Sequence, residues 1–93
     1  MKKKALKKVA GGKLIRAEVE FDEAIRKLKI TGDFFMHPEE AIEGIENSLI
    51  GMAVSISKEE LESEIKQFLE ARQILLIGFS PADLAEVIKA AMV

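Results

Sequence analysis

The chain contains no cysteine, tryptophan or tyrosine, and among its 93 residues it has one histidine and two prolines. Without cysteine there is no disulfide framework, no thiolate nucleophile and no thiolate-held metal, a composition that fits a reducing cytoplasm. Nor is there anywhere a run approaching ~18 consecutive apolar residues, the length a membrane-spanning helix needs. The basic start MKKKALKKVAGGK lacks the apolar centre of a secretory leader. Neither secretion nor a membrane partner is expected, and the expected location is cytoplasmic.

The scarcity of histidine limits the chemistry further. A general base needs an orienting partner and a substrate pocket, and His37 with Asp33 or Glu40 nearby in sequence does not amount to either a catalytic or a metal-binding constellation. Ser48, Ser55, Ser57, Ser63 and Ser80 have no triad beyond that single ring. No catalytic residue, no metal site and no cofactor bound by this chain alone are expected. Gly11-Gly12-Lys13 lacks the spacing of a phosphate loop and precedes a strand instead of opening a helix. A plain turn accounts for it, and the alternative role is Lys13 as a cation offered to an anionic ligand held mainly by another chain. The five phenylalanines, Phe21, Phe34, Phe35, Phe68 and Phe79, all lie outside the basic start, so the stacking platform of a single-strand reader is missing. Nucleic-acid binding rests on the cations alone.

What the chain does have is 48% hydrophobic residues and a lopsided charge. A chain this short makes one domain, buries a limited share of its surface and tends to lean on a partner. Residues 1–16 carry seven cations and no acid, while residues 17–93 carry a net charge of −9. This divides the chain into a basic arm, residues 1–10, and a single domain, residues 11–93. The arm reads either as a solvated tail or as a segment seeking phosphates or an acidic protein surface.

Hydrophobic periodicity predicts an α+β fold. In LIRAEVEF, Ile15, Ala17, Val19 and Phe21 alternate with polar residues, the period of a strand with one dry face. Asp22-Glu23 turns the chain, and AIRKLKIT returns with Ala24, Leu28 and Ile30 on one face and Ile25 off register. Pro38 followed by Glu39 and Glu40 marks a helix start, Ile42, Ile45 and Leu49 follow at helical spacing, and Gly51 ends the helix. Gly44 inside it implies either close approach by another backbone or simple tolerance. Ser57 and Glu60 form a capping box before the stripe Leu61, Ile65, Phe68, Leu69. Ile74 to Ile77 reads as a short buried strand, and Ser80-Pro81-Ala82-Asp83 opens a last helix with Leu84, Val87, Ile88 and Ala91 inward. The sum is a small antiparallel sheet, an N-terminal hairpin plus a third short strand, packed against about three helices.

The segment KITGDFFMHPEEAIEGIENSLIG, from Lys29 to Gly51, stands apart. Gly32 permits a turn at the strand exit, Asp33 can hydrogen-bond nearby amides, and the adjacent Phe34 and Phe35 point opposite ways if extended. Either one ring enters the core while the other meets a partner, or both are buried. A hairpin, then Ile30, Gly32, Asp33, Phe34 and Phe35, a Pro-Glu helix start, and Ile42, Ile45, Glu46, Leu49 and Gly51, with Gly12, Lys13 and Leu14 leading into the first strand, resembles the C-terminal accessory domain of lipoate-protein ligases. The resemblance spans Gly11 to Val93.

It implies a separate small subunit of a two-chain ligase, whose large catalytic subunit binds lipoate, ATP and Mg. The implied role is noncatalytic: completing the large subunit for ATP-dependent formation of lipoyl-AMP, before transfer to a lysine of lipoyl-domain proteins of 2-oxoacid dehydrogenases and glycine cleavage. Gly32, Asp33, Phe34 and Phe35 are the implied partner interface, and Lys13 a candidate near the partner's adenylate. The basic arm would then meet the catalytic subunit, steer acidic lipoyl domains, or stay solvated. The competing classes are a non-enzymatic interaction module and a nucleic-acid-binding protein.

Overall fold

A computed structural model describes residues 1–9, 11 and 13–92, with Phe35 described through its backbone alone. Gly12, one of the residues carrying the resemblance, lies outside the described residues. The elements are β1 (Lys2–Lys8), β2 (Leu14–Phe21), β3 (Ile25–Gly32), β4 (Phe35–His37), α1 (Ala41–Leu49), α2 (Lys58–Arg72), β5 (Leu75–Ile77) and α3 (Pro81–Ala91). Strands β1, β2 and β3 form one antiparallel sheet in sequence order, and β4 and β5 form a separate antiparallel pair. Over the described residues the fold is α+β, with three helices.

One expectation about the start of the chain fails. Lys2–Lys8 is an edge strand of the main sheet, paired along its length with β2 from Lys2–Glu20 to Lys8–Leu14. The solvated-tail reading is therefore corrected. Lysine lowers strand propensity in general, but alternation rescues it here. Lys3, Ala5 and Lys7 face the helices and Lys2, Lys4, Leu6 and Lys8 face away, so each strand neighbour meets its own kind of environment. Lys7 donates to Glu86 of α3 at 2.5 Å and lies 3.7 Å from Asp83, which ties the strand to the last helix. The hydrogen bond to Glu86 raises the Lys7 ammonium above its ordinary pKa.

The hairpin forms as its alternation predicts, with Ile15, Ala17, Val19 and Phe21 buried. Its return strand differs in register. Between Glu20 and Phe21 the pairing slips by one, so that Phe21 faces Ile25 while Glu20 faces Lys27. The extra residue, Arg26, turns outward and reaches the Asp22 carboxylate at 2.9 Å. A bulge of this kind lets Ile25 and Leu28, three apart, share the inner face. Ile25 is fully buried and Ala24 instead bridges Ala53, correcting the off-register reading.

The helices cover one face of the main sheet: α3 packs on β1 and β2, α1 on β3, and α2 lies against α3. The stripes Ile45 and Leu49, Leu61, Ile65 and Leu69, and Leu84, Val87, Ile88 and Ala91 are all buried and meet the inner sheet residues in one core. The first helix begins later than Pro38 predicts, at Ala41, because residues 38–40 are taken up in turns that close Pro38 O to Ala41 N and Glu40 O to Glu43 N. Ser80 and Asp83 make a complete reciprocal capping box on α3. On α2 the box is half-made: the Ser57 hydroxyl accepts from the Glu60 amide, while the Glu60 carboxylate contacts that hydroxyl instead of the Ser57 amide.

Candidate partner interface

Where β3 ends, the chain passes so close to β2 that only glycine fits. A β-carbon at Gly32 would lie 2.3 Å from the Leu14 carbonyl oxygen and 3.0 Å from the Ile15 α-carbon. The same carbonyl accepts from the Asp33 amide at 2.9 Å. Asp33 thus uses its backbone, not its side chain, to pin the strand exit. Phe34 follows, half-buried, with its ring centroid 4.5 Å from that of Phe79 at an interplanar angle of 51°. Such a tilted contact is favourable for aromatic quadrupoles, so the Phe34 ring belongs to the edge of this domain's own core.

Beyond Phe34 the chain is extended and forms β4, a strand not among those that periodicity predicts. It pairs with β5 through Phe35–Ile77, Met36–Leu76 and His37–Leu75. Met36 is buried and Leu76 half-buried, whereas Leu75 and Ile77 are 57% and 53% exposed. The expectation of a buried strand at 74–77 is therefore half wrong: one side is covered by the domain and the other presents two large aliphatic side chains to solvent beside the exposed His37. A run of four branched aliphatics carries no signal for this, because periodicity cannot tell which neighbours a strand will find.

Lys13 comes to the same end of the molecule. A β-carbon at Gly78 would meet its Cδ at 3.3 Å and the Asp33 carbonyl at 3.8 Å, so the lysine stem lies over Gly78 with the head exposed. The structure thus gathers Lys13, Gly32, Asp33 and Phe34 with Leu75, Ile77 and Phe79, which sequence reading missed. The side chain of Phe35 lies outside the described residues. Beside this cluster an open groove of about 360 Å³ runs over Thr31, Phe34, Met36, Glu39 and Ile42.

Glu46, part of the motif carrying the resemblance, has a structural task next to it. Its carboxylate accepts from the Ile30 amide on the outer edge of β3 at 2.7 Å. That satisfies a backbone donor which no further strand meets and fastens α1 to the sheet. Partial burial, only in part offset by this hydrogen bond, raises the Glu46 carboxyl above its ordinary pKa.

A larger depression, about 440 Å³, lies away from this end, bordered by Lys2, Glu18, Glu20, Lys27, Lys29 and Asn47. Neither hollow brings together a nucleophile, a base and an orienting group. Among the described residues there is no group of three His, Asp or Glu side chains that could hold a metal ion. No helix among them is long and apolar enough to cross a membrane. What the geometry offers is an apolar contact surface with Lys13 at its rim.

No family model matches the chain, and no curated protein does. Among solved structures, one chain from an archaeal lipoylation system, a bipartite lipoate protein ligase and its E2 lipoyl domain from Thermoplasma acidophilum, matches with a TM-score of 0.78. The two are 28% identical, and the match covers 95% of this chain and 94% of that one. This chain resembles the small subunit of a bipartite lipoate-protein ligase.

Proposed function

We propose that this chain is the noncatalytic small subunit of a two-chain lipoate-protein ligase, docking on a large catalytic subunit through the end of the domain that carries Phe34, Leu75 and Ile77. The observation carrying this reading is the near end-to-end structural likeness to a component of a bipartite ligase. Lipoate, ATP and Mg belong on the large subunit. There the lipoate carboxylate attacks the α-phosphorus of ATP, pyrophosphate leaves, and the resulting lipoyl-AMP later yields its acyl group to a lysine amine of a lipoyl domain with release of AMP.

A subunit without a nucleophile contributes to such a reaction by holding the partner's loops over the reacting atoms and excluding water. The surface needed for that is apolar and rimmed by charge. Leu75 and Ile77 supply the apolar part, with the Phe34–Phe79 contact and the Gly32 close approach at the same end of the domain. In this reading Lys13 at the rim offers a cation to the adenylate held on the large subunit.

The deciding experiment is lipoate-dependent pyrophosphate release by the large subunit of the same organism, alone and with this chain. Both chains are quantified by amino-acid analysis, since this one lacks Trp and Tyr. Release should be strong only in the mixture, and Leu75→Glu with Ile77→Glu should reduce it at least tenfold at fixed concentrations. A mixture no better than the large subunit alone, with no complex formed, would leave a non-enzymatic interaction module. Full stimulation by the double variant would move the interface elsewhere.

A further inference from the structure

The side of the main sheet turned away from the helices has a charge unlike the rest of the protein. Strand register places Lys2, Lys4, Leu6 and Lys8 of β1, Leu14, Arg16, Glu18 and Glu20 of β2, and Lys27, Lys29 and Thr31 of β3 on it. Among the described residues this face therefore holds six cations and two carboxylates, a net of +4 on a chain whose total is −2. All six cations are exposed, and the two glutamates are half-buried in the middle row between lysines. Leu6 is 60% exposed on the same face and Leu14, diagonal to it, 41%. An apolar pair thus sits among Lys4, Lys8 and Arg16. A solvated sheet face has no need of large aliphatics there, whereas protein interfaces use an apolar centre inside a polar rim.

We infer that this face is a second docking surface, taken by the acidic surface of a folded protein, with Leu6 as its apolar anchor. The inference rests on the function proposed above, in which the acceptor domain must bind and leave at every turnover. Charge complementarity suits that traffic, because it accelerates encounter without prolonging the complex, while the apolar end at β4 and β5 suits a lasting subunit contact. Nucleic acid fits less well. Glu18 and Glu20 interrupt the cations where a continuous polyanion would lie, and the face presents no aromatic ring for a base to stack on. The net −6 on the remaining side chains adds repulsion against a long phosphate backbone.

The test uses the reconstituted two-chain ligase and the lipoyl acceptor domain of the same organism, and reads lipoyl transfer and pyrophosphate release separately. Lys4→Glu with Lys8→Glu brings the face to neutrality. It should raise KM for the acceptor domain tenfold or more at roughly 50 mM salt and much less at roughly 300 mM, where screening is short-ranged. The value of kcat and the stimulation of pyrophosphate release should not change. Leu6→Gln should raise KM at both salt concentrations. Lys4→Ala with Lys8→Ala, a milder change, gives the same readout if the reversal impairs folding. An unchanged acceptor KM in all variants overturns the inference, as does an equal loss of pyrophosphate release, which would place the catalytic subunit on this face. It is also overturned if the wild type binds a 20-base-pair DNA duplex and the same substitutions abolish that binding while acceptor KM stays constant. Failure of the wild-type chain to stimulate pyrophosphate release is a separate result that sinks the proposed function itself.

Discussion

At Gly44, in the middle of α1, the neighbour that excludes a side chain is a ring and not a backbone. A β-carbon there would lie 2.7 Å from Cζ of Phe68 on α2. The Arg72 guanidinium lies over the face of that same ring, 4.0 Å from its centre. Alanine should gain about 1 kcal/mol in helix propensity and lose about 1–3 kcal/mol to overpacking, so that Gly44→Ala alone is neutral or destabilising. In a Phe68→Leu background the overpacking disappears, and Gly44→Ala should then stabilise by about 1 kcal/mol. Equal effects in both backgrounds, by urea unfolding, would show that the ring is not the reason for the glycine. Glu46 gives a pH signature. Its folded pKa is raised, so ionising it costs the folded state more than the unfolded one, and the cost appears as pH climbs from the ordinary glutamate value of about 4.3 through the elevated one. Glu46→Gln removes that cost, so the variant should show a smaller fall in stability across this window. Parallel pH profiles for the two proteins would refute the assignment.

Among the elements, the pairing of β4 with β5 is the weakest. Each strand has three residues, the pair is separate from the main sheet, and two of its aliphatic side chains face solvent. Two short strands by themselves are marginal in water. Amides of β4 and β5 should therefore exchange with solvent well before those of β2, which is paired on both sides. In complex with the large subunit they should become protected if the proposed contact is there. Exchange in β4 and β5 that stays the same on binding would put the contact on another element. By contrast, α3 is fixed at both levels, by its complete capping box and by Leu84, Ala85, Val87 and Ile88 in the core.

For the whole molecule, the radius of gyration is 12.0 Å, close to the ~12 Å expected for a compact chain of this length. That leaves no room for a detached arm, and β1 behaves as part of the body. Deleting residues 1–8 would remove the strand on which α3 rests and uncover Val9, which is 8% exposed. Exposing Val9 alone is worth about 1.5 kcal/mol, or roughly 6–12 °C in Tm for a domain of this size. Calorimetry should show at least that loss. An unchanged Tm would mean the segment is not an integral strand. Truncation is accordingly a poor tool for separating the roles of the basic residues, and single substitutions on the outer face are the better one.

Local patterning was enough to determine most of the elements: the alternation of Ile15 to Phe21, the stripes of the three helices and the cap at Ser80 are all dictated by residues within a few positions of one another. The motif from Ile30 to Gly51 carried the resemblance to a lipoate-protein ligase component that the structural match also shows, because its glycines and apolar spacing reflect a particular turn and packing. Tertiary structure alone decided whether Lys2–Lys8 was tail or strand, whether Ile25 or Ala24 faced the core, and which side of Leu75 to Ile77 was left open. Those outcomes depend on which strands pair and in what register, across 6 to 18 residues for β1 with β2 and 38 to 42 for β4 with β5, and on the slip opposite Glu20. The same pairings bring cations from three strands onto one face. Sequence order places some of those cations beside acids and only the sheet register sums them into a field.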